Sequence, residues 1–166
     1  RDLECLSRYD LVHTSVYSFL DDVLAEIKES AKFLSYDFSN EWDETSLRKL
    51  LPIVDLALIS NPVDEIRDNM DLMKWVVAQG AKLIIVTSGD QGSGVYDGKD
   101  FFFQPVIPIE NAIDTLGAGD AFAACFLTNY LEHVPIEAAL KDAAQYAAQA
   151  CTQNGAFGHG TRCIKQ

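Results

Sequence analysis

Asp114-Thr115-Leu116-Gly117-Ala118-Gly119-Asp120 runs directly into Ala121-Phe122-Ala123-Ala124-Cys125-Phe126-Leu127. The second part is an apolar, helix-forming run, so Gly117 to Asp120 mark a loop that turns into a helix. Two glycines permit backbone conformations and close approaches that a Cβ forbids. The first amides of a helix have no internal partners and carry the positive end of its dipole, which suits an anion such as a phosphate. Asp120 is the odd member, because a carboxylate repels a phosphate unless it serves to take a proton from the group attacking it. The sequence leaves a second role open for Asp120, as a helix cap.

Working outward, Leu11 to Ser15 reads as a short strand. Leu20, Val23, Leu24, Ile27 and Ala31 follow one face of a helix. Phe33 to Phe38 is a second strand, and Asn40 to Leu51 a helix closed by Pro52. Val54 to Ile59 is a third strand, apolar almost throughout, as a parallel strand covered on both faces should be. Asn61-Pro62 opens a helix reaching about Gln79, stopped by Gly80. Lys82 to Thr87 is the clearest strand, Ser88 to Gly94 a glycine-rich turn, and Asp97-Gly98 a hairpin signal between Val95-Tyr96 and Phe101-Phe102-Phe103. A helix to about Glu132 and another from Ile136 to about Gln153 follow the opening stretch, and Asn154 to Gln166 is a loop-like tail. Strand and helix alternating in this way predict an α/β fold, a doubly wound, mostly parallel sheet with helices on both faces.

The chain has 166 residues, 48% of them hydrophobic, and 13 basic against 25 acidic side chains give a formal charge of −12. That is a folded domain rather than a disordered segment. Such a surface repels nucleic acid and anionic membranes, and it repels a small phosphate ligand as well, so any phosphate must be bound locally. No apolar run approaches the roughly 20 residues of a membrane span, and the start resembles no signal peptide. Cys5, Cys125, Cys151 and Cys163 show no paired spacing and read as reduced thiols of a cytoplasmic protein. His13, His133 and His159 form no spaced cluster.

Open α/β sheets bind ligands beyond the C-terminal ends of their strands. The turn Thr87–Gly94 and the residues after Phe38 and Ile59 occupy such ends and are expected to share one site. Thr87 to Gly94 fails both the Walker and the dinucleotide pattern, so taken alone it is a phosphate loop or a plain turn. Asn61 and Asp64, with Glu65 beside them, are an Asn-x-x-acid pair at the head of a helix and read as a helix cap with acids in its first turn. Asp37 is a substrate contact or a carboxylate making turn hydrogen bonds.

Asp-Thr-Leu-Gly-Ala-Gly-Asp-Ala-Phe resembles the C-terminal signature of the pfkB/ribokinase family of sugar kinases. The resemblance implies that Gly117, Ala118 and Gly119 line an anion hole for the transferred phosphoryl group and that Asp120 is the base for the sugar hydroxyl. It also implies a nucleotide site at Thr87, Gly89 and Gly92, with Thr115 near it and Asn154 in a loop over the adenine. Ala147, Ala148 and Ala150 would pack near the base. Asn61 with Asp64 or Glu65 would place Mg²⁺ through water, a mode Mg²⁺ favours. Some members hold a monovalent cation, and K⁺ would fall at Asp114 and Leu116. Asp37-Phe38-Ser39-Asn40-Glu41-Trp42 departs from the family's Asp-Pro-Asn segment and resembles the fructoselysine 6-kinase branch, where Asp37 and His13 are the substrate-side candidates.

The resemblance covers only the C-terminal part of the family pattern. The chain is therefore expected to be the nucleotide-binding and catalytic portion, residues 1–166, without the N-terminal strands and the β lid over the sugar. An unpaired sheet edge would then be completed by a missing N-terminal segment or by a homodimer. The expected activity is ATP-dependent phosphorylation of a sugar or sugar derivative, with a fructoselysine-like substrate favoured. The rivals are a binding module without catalysis and a kinase of a nucleoside or vitamin alcohol.

Overall fold

The computed structural model describes residues 3–156 and Gly158. The expectations for Cys163, His159 and most of the tail fall outside the described residues. The chain divides into two compact units, Arg1–Phe103 and Gln104–Gln166.

The first unit is built on a six-stranded sheet: β1 (Val12–Ser15), β2 (Leu34–Asp37), β3 (Leu56–Ser60), β4 (Leu83–Thr87), β5 (Ser93–Tyr96) and β6 (Phe101–Gln104), neighbours in that order. β1 to β4 are parallel and β4–β5 is antiparallel. Helices α1 (Leu24–Ser30), α2 (Glu44–Leu50) and α3 (Met70–Ala78) make the crossovers. The class is the expected one, α/β with a mostly parallel sheet.

Alternation along the strands explains the packing. Leu34, Tyr36, Ala57, Ile59, Ile84 and Val86 share one core with Leu24 and Ile27 of α1, Leu47 and Leu50 of α2, and Met73 and Val76 of α3. The intervening residues Leu56, Leu58, Leu83 and Ile85 are buried as well, so both sheet faces are apolar, as the continuous hydrophobic runs demand.

The helices are shorter than their sequence patterns, for local reasons. α2 starts at Glu44 because Asp43 closes a capping box: its Oδ1 accepts the Ser46 N–H at 2.7 Å while Ser46 Oγ accepts the Asp43 N–H at 3.0 Å. The largest departure is at Asn61-Pro62, which does not open a helix. The Asn61 N–H donates to the Thr87 carbonyl at 3.0 Å and the Val63 N–H to Ser88 Oγ at 2.9 Å. The chain is thus held along the end of β4, and a 3-10 turn, Ile66–Asn69, starts only after Glu65.

In the second unit, α4 (Ala118–Leu131) and α5 (Ile136–Ala150) pack against each other. α4 buries Phe122, Ala123, Phe126 and Leu127, and α5 buries Ala139, Leu140, Ala143 and Ala148. The rings of Phe122, Phe126 and Tyr130 succeed one another at helical spacing, with centroids 6.5 and 6.2 Å apart. Among the described residues no helix is long and apolar enough to cross a membrane.

Candidate active site

The start of α4 leaves main-chain amides without an acceptor among the described residues. Gly117 is the residue before the helix, in the left-handed conformation at φ 79°, where glycine carries no Cβ penalty. Ala118, Gly119 and Asp120 form the first turn. The Ala118 amide donates to the Thr115 carbonyl and the Ala121 amide to the Gly117 carbonyl. The amides of Gly119 and Asp120 find no acceptor among the described residues, and nothing lies within 4 Å of where a Gly119 Cβ would be. Protein packing therefore does not account for glycine there, whereas the approach of a ligand would.

Asp120 is exposed and, among the described residues, makes no side-chain hydrogen bond and caps nothing; α4 has no side-chain cap hydrogen bond among them. Of the two roles the sequence left open, the capping one is absent. The carboxylate belongs to the same first turn as the two amides that find no acceptor among the described residues.

Asp114 is tied down instead. Its Oδ1 accepts the Leu116 N–H at 3.0 Å and its Oδ2 the Gly155 N–H at 2.9 Å. These two bonds, Leu116 first, hold its carboxyl below the usual carboxylate range. A cation at Asp114 and Leu116 would share that carboxylate with both donors. Thr115 and Asn154 are exposed, and the Asn154 carbonyl accepts the Gly158 N–H at 3.0 Å.

In the first unit the C-terminal ends of β1 and β2 pair, Ser15 beside Asp37, as do those of β3 and β4, Ser60 beside Thr87, while Asp37 itself pairs with Leu58 of β3. After Thr87 the chain makes a 3-10 turn, Gly89–Gln91, with Gly89 at φ 55° and Gly92 at φ 94°. The amides of Gly89 and Asp90 and the Thr87 hydroxyl have no partner among the described residues. These are groups that phosphate oxygens would take. Ser93, inside the Thr87–Gly94 stretch but not singled out there, opens β5 and is buried with its hydroxyl unpartnered among the described residues. Its only sequence signal is its place next to Gly92.

The metal candidates adjoin this turn. The Asn61 Nδ2 donates to Asn69 Oδ1 at 2.6 Å, which leaves the Asn61 Oδ1 open. Asp64 is exposed and has no hydrogen bond among the described residues, while the Glu65 amide is held by Asp68 Oδ2 at 3.2 Å. No group of three or more His, Cys, Asp or Glu side chains gathers among the described residues. Two oxygen ligands and no closed cage fit a cation that keeps its waters.

Of the expected substrate-side residues, Asp37 accepts the Ser39 N–H on its Oδ1 at 2.7 Å, the turn bond that the sequence left open as one of two roles. Tyr17, absent from the sequence reading, donates to Ser39 Oγ at 3.1 Å. His13 lies inside β1 rather than at its C-terminal end, its Nδ1 hydrogen-bonded with Ser35 Oγ at 2.8 Å.

The mostly parallel six-stranded sheet is that of a ribokinase-like fold, as comparison with known proteins shows. The chain belongs to the pfkB family of carbohydrate kinases, whose family model matches residues 19–159. It is 38% identical over 160 residues to the fructosamine kinase FrlD of Bacillus subtilis (strain 168), covering 96% of this chain and 56% of that protein. It is 34% identical over 157 residues to the fructoselysine 6-kinase of Escherichia coli (strain K12), covering 94% and 59%. Among solved structures, the ribokinase of Arabidopsis thaliana complexed with ribose and ATP superposes with a TM-score of 0.77 at 22% identity, covering 93% of this chain and 53% of that one. The acarbose kinase Mak1 gives 0.76 at 27% identity, covering 95% and 54%. The chain thus spans a little over half the length of its relatives. The resemblance to the fructoselysine 6-kinase branch is borne out.

Proposed function

We propose that this chain is the nucleotide-binding and catalytic portion of an ATP-dependent kinase that phosphorylates a hydroxyl of a sugar derivative, a fructoselysine-like compound being favoured. The observation that carries the reading is the first turn of α4: two unpartnered amides, Gly119 and Asp120, with an exposed, unbonded Asp120 carboxylate beside them.

In this reading the Asp120 carboxylate takes the proton of the acceptor hydroxyl as its oxygen bonds to the γ-phosphorus. The bond from that phosphorus to the bridging oxygen breaks, and ADP leaves with the electron pair. Base catalysis of this kind contributes about 10²–10⁴ in rate. The amides of Gly119 and Asp120, set by Gly117 and Ala118, stabilise charge on the moving phosphoryl group, and one such donor is worth about 3 kcal/mol. The turn Thr87, Gly89 and Gly92 is assigned the phosphates of the nucleotide, and Thr115 and Asn154 its remaining contacts. Asn61 and Asp64, with Glu65 adjoining, would hold Mg²⁺ through water, and the ion would neutralise phosphate charge. Asp37 is assigned to the sugar. A K⁺ requirement at Asp114 and Leu116 is tested by exchanging K⁺ for tetramethylammonium in the assay.

The test is Asp120→Asn in the complete protein, with ATP affinity and ADP release measured on fructoselysine, fructose, ribose and a nucleoside. ATP affinity within threefold of wild type and turnover lower by 10² or more is the expected outcome. Near-normal turnover would overturn the base. ATP binding without turnover on any acceptor in the wild type would favour a binding module, and preference for the nucleoside would favour that substrate class.

A further inference from the structure

Helices α2 and α3 of the first unit share a cavity of about 330 Å³ that phosphoryl transfer does not use, lined by Trp42, Glu44, Leu47, Asp71, Leu72 and Trp75. That volume is at the small end of ligand pockets, about 300–1,000 Å³. Both tryptophans of the chain stand in its wall. The Trp42 Nε1 donates to the Ser60 carbonyl at 3.2 Å, which satisfies the indole's one donor and ties the ring to the end of β3. Leu47 is fully buried and Leu72 half-buried, whereas the side chains of Glu44 and Asp71 are 69% and 99% exposed. The apolar side chains therefore make the interior and the two carboxylates the mouth.

Among the described residues no basic side chain lines this cavity. Arg48 and Lys74 are the neighbouring cations. Arg48 Nε and Nη2 both donate to Glu44 Oε1, at 2.9 and 2.7 Å, which leaves Glu44 Oε2 without a donor among the described residues. Lys74 Nζ comes only within 3.7 Å of Asp71. Exposed pairs of this kind are weak, so an incoming ammonium can compete for either carboxylate. The Arg48 guanidinium also lies over the Trp75 ring, 5.1 Å from its centroid, so that ring already accepts a cation. An anionic ligand is repelled by this lining and by the formal charge of −12. A hydrated metal ion gains nothing from rings and leucines. An alkyl chain ending in an ammonium uses every wall: the chain lies on the rings and leucines and the charged head stays at the wet mouth, as a lysine side chain divides itself on a protein surface.

We propose that this cavity is a binding site for a small primary alkylammonium compound, its aliphatic chain against Trp42 and Trp75 and its ammonium donating to Glu44 and Asp71. None of the six lining residues has a part in the proposed phosphoryl transfer, so the site stands or falls apart from the kinase reading. The carboxylates decide for a primary ammonium over a quaternary one, because they take charge-assisted hydrogen bonds that a tetramethylammonium ion cannot give.

The experiment is an NMR titration of the complete protein carrying ¹⁵N-tryptophan, with the indole signals of Trp42 and Trp75 assigned through Trp42→Phe and Trp75→Phe. The probes are n-butylammonium chloride, its uncharged counterpart 1-butanol, tetramethylammonium chloride, and sodium chloride at equal ionic strength. Both indole signals should move saturably with n-butylammonium, at a half-saturation about tenfold below that of 1-butanol and about threefold below that of tetramethylammonium. Glu44→Gln and Asp71→Asn change exposed side chains, and unshifted indole signals before any addition confirm the intact fold. Each variant should raise the n-butylammonium half-saturation about threefold, and the two together about tenfold. Shifts reproduced by sodium chloride, or 1-butanol binding as tightly as n-butylammonium, would overturn the site. Unchanged half-saturation in both variants would also overturn it, since the ammonium would then lie elsewhere. Tighter binding of tetramethylammonium would overturn the primary ammonium. A pentapeptide with a central lysine among glycines should bind no more tightly than n-butylammonium; a clear gain in affinity would mark a docking site for another chain and refute the small-molecule assignment.

Discussion

Asp55 offers the sharpest test of how the strand ends are held. It is 2% exposed at the start of β3, and its carboxylate accepts from Lys28 Nζ, from Lys82 Nζ at 2.8 Å and from the Leu34 N–H at 2.8 Å. Its own amide donates to the Leu34 carbonyl, and its carbonyl accepts from Lys82 and Leu83. One residue therefore clasps the beginnings of β2, β3 and β4, whose opposite ends present Asp37, Asn61 and Thr87. Burial by itself would raise the Asp55 carboxyl, but Lys28, Lys82 and the Leu34 amide outweigh it and hold it below the usual range. Lys82 is 72% exposed, so its pair is screened and contributes under about 1 kcal/mol. The Lys28 side chain is 31% exposed, so Asp55→Ala strands an ammonium with partial access to water. The cost then falls at the low end of the roughly 3–5 kcal/mol for breaking a buried pair. Asp55→Ala also orphans the Leu34 N–H, for about 1–3 kcal/mol, with overlap between the two effects. The expected loss is about 4 kcal/mol for Asp55→Ala, and about 2 kcal/mol for Asp55→Asn, which can still accept from Leu34. Urea unfolding of the complete protein at pH 7 measures both. Because the folded carboxyl titrates below its ordinary value of about 3.9, the stabilisation is complete above that value and vanishes as pH falls through the depressed one. The gap between wild type and Asp55→Asn should therefore close below about pH 4. An Asp55→Ala protein within 0.5 kcal/mol of wild type, or a gap unchanged from pH 7 to pH 3, would refute the clasp.

Gly80 ends α3 at φ 132°, and a Cβ there would stand 2.9 Å from the Pro52 Cα. Gly80→Ala should cost about 2 kcal/mol through backbone strain and lower Tm by roughly 4–8 °C, read by thermal unfolding. For the metal, Asp64→Asn should raise the Mg²⁺ concentration needed for half-maximal turnover by about 10–100-fold. Glu65→Gln should leave it within twofold, and the reverse order would move the role to Glu65.

The fold was legible because its signals are local. The apolar runs at Leu56–Ile59 and Leu83–Val86 can only be covered strands, and Gly117 before an apolar helix can only be a helix entry. What escaped the sequence is whatever depends on a partner distant along the chain. Asn61-Pro62 carries the local marks of a helix start, an Asn cap with Pro behind it. Those marks lose because the Asn61 and Val63 N–H groups are engaged by Thr87 and Ser88. No periodicity encodes a hydrogen bond to a residue 25 positions away, as Ser88 is from Val63. The same holds for Asp114, whose second partner is Gly155, and for Tyr17, which meets Ser39 across two strand ends.

The displaced helix start strengthens the chemistry assigned to Asn61. An Asn that caps a helix spends its side-chain oxygen on the N–H groups of the first turn. Here the helix opens later, at Ile66, so the Asn61 oxygen has no such donor to satisfy, and its amide is fixed by the buried Asn69. A carboxamide held from its nitrogen side, with the oxygen open and the chain pinned to the end of β4, is rigid without being neutralised. Asp64, two residues beyond Pro62, is exposed and has no hydrogen bond among the described residues. Had the sequence-expected helix formed, both oxygens would have faced helix donors. Its failure to form leaves them available to a hydrated cation.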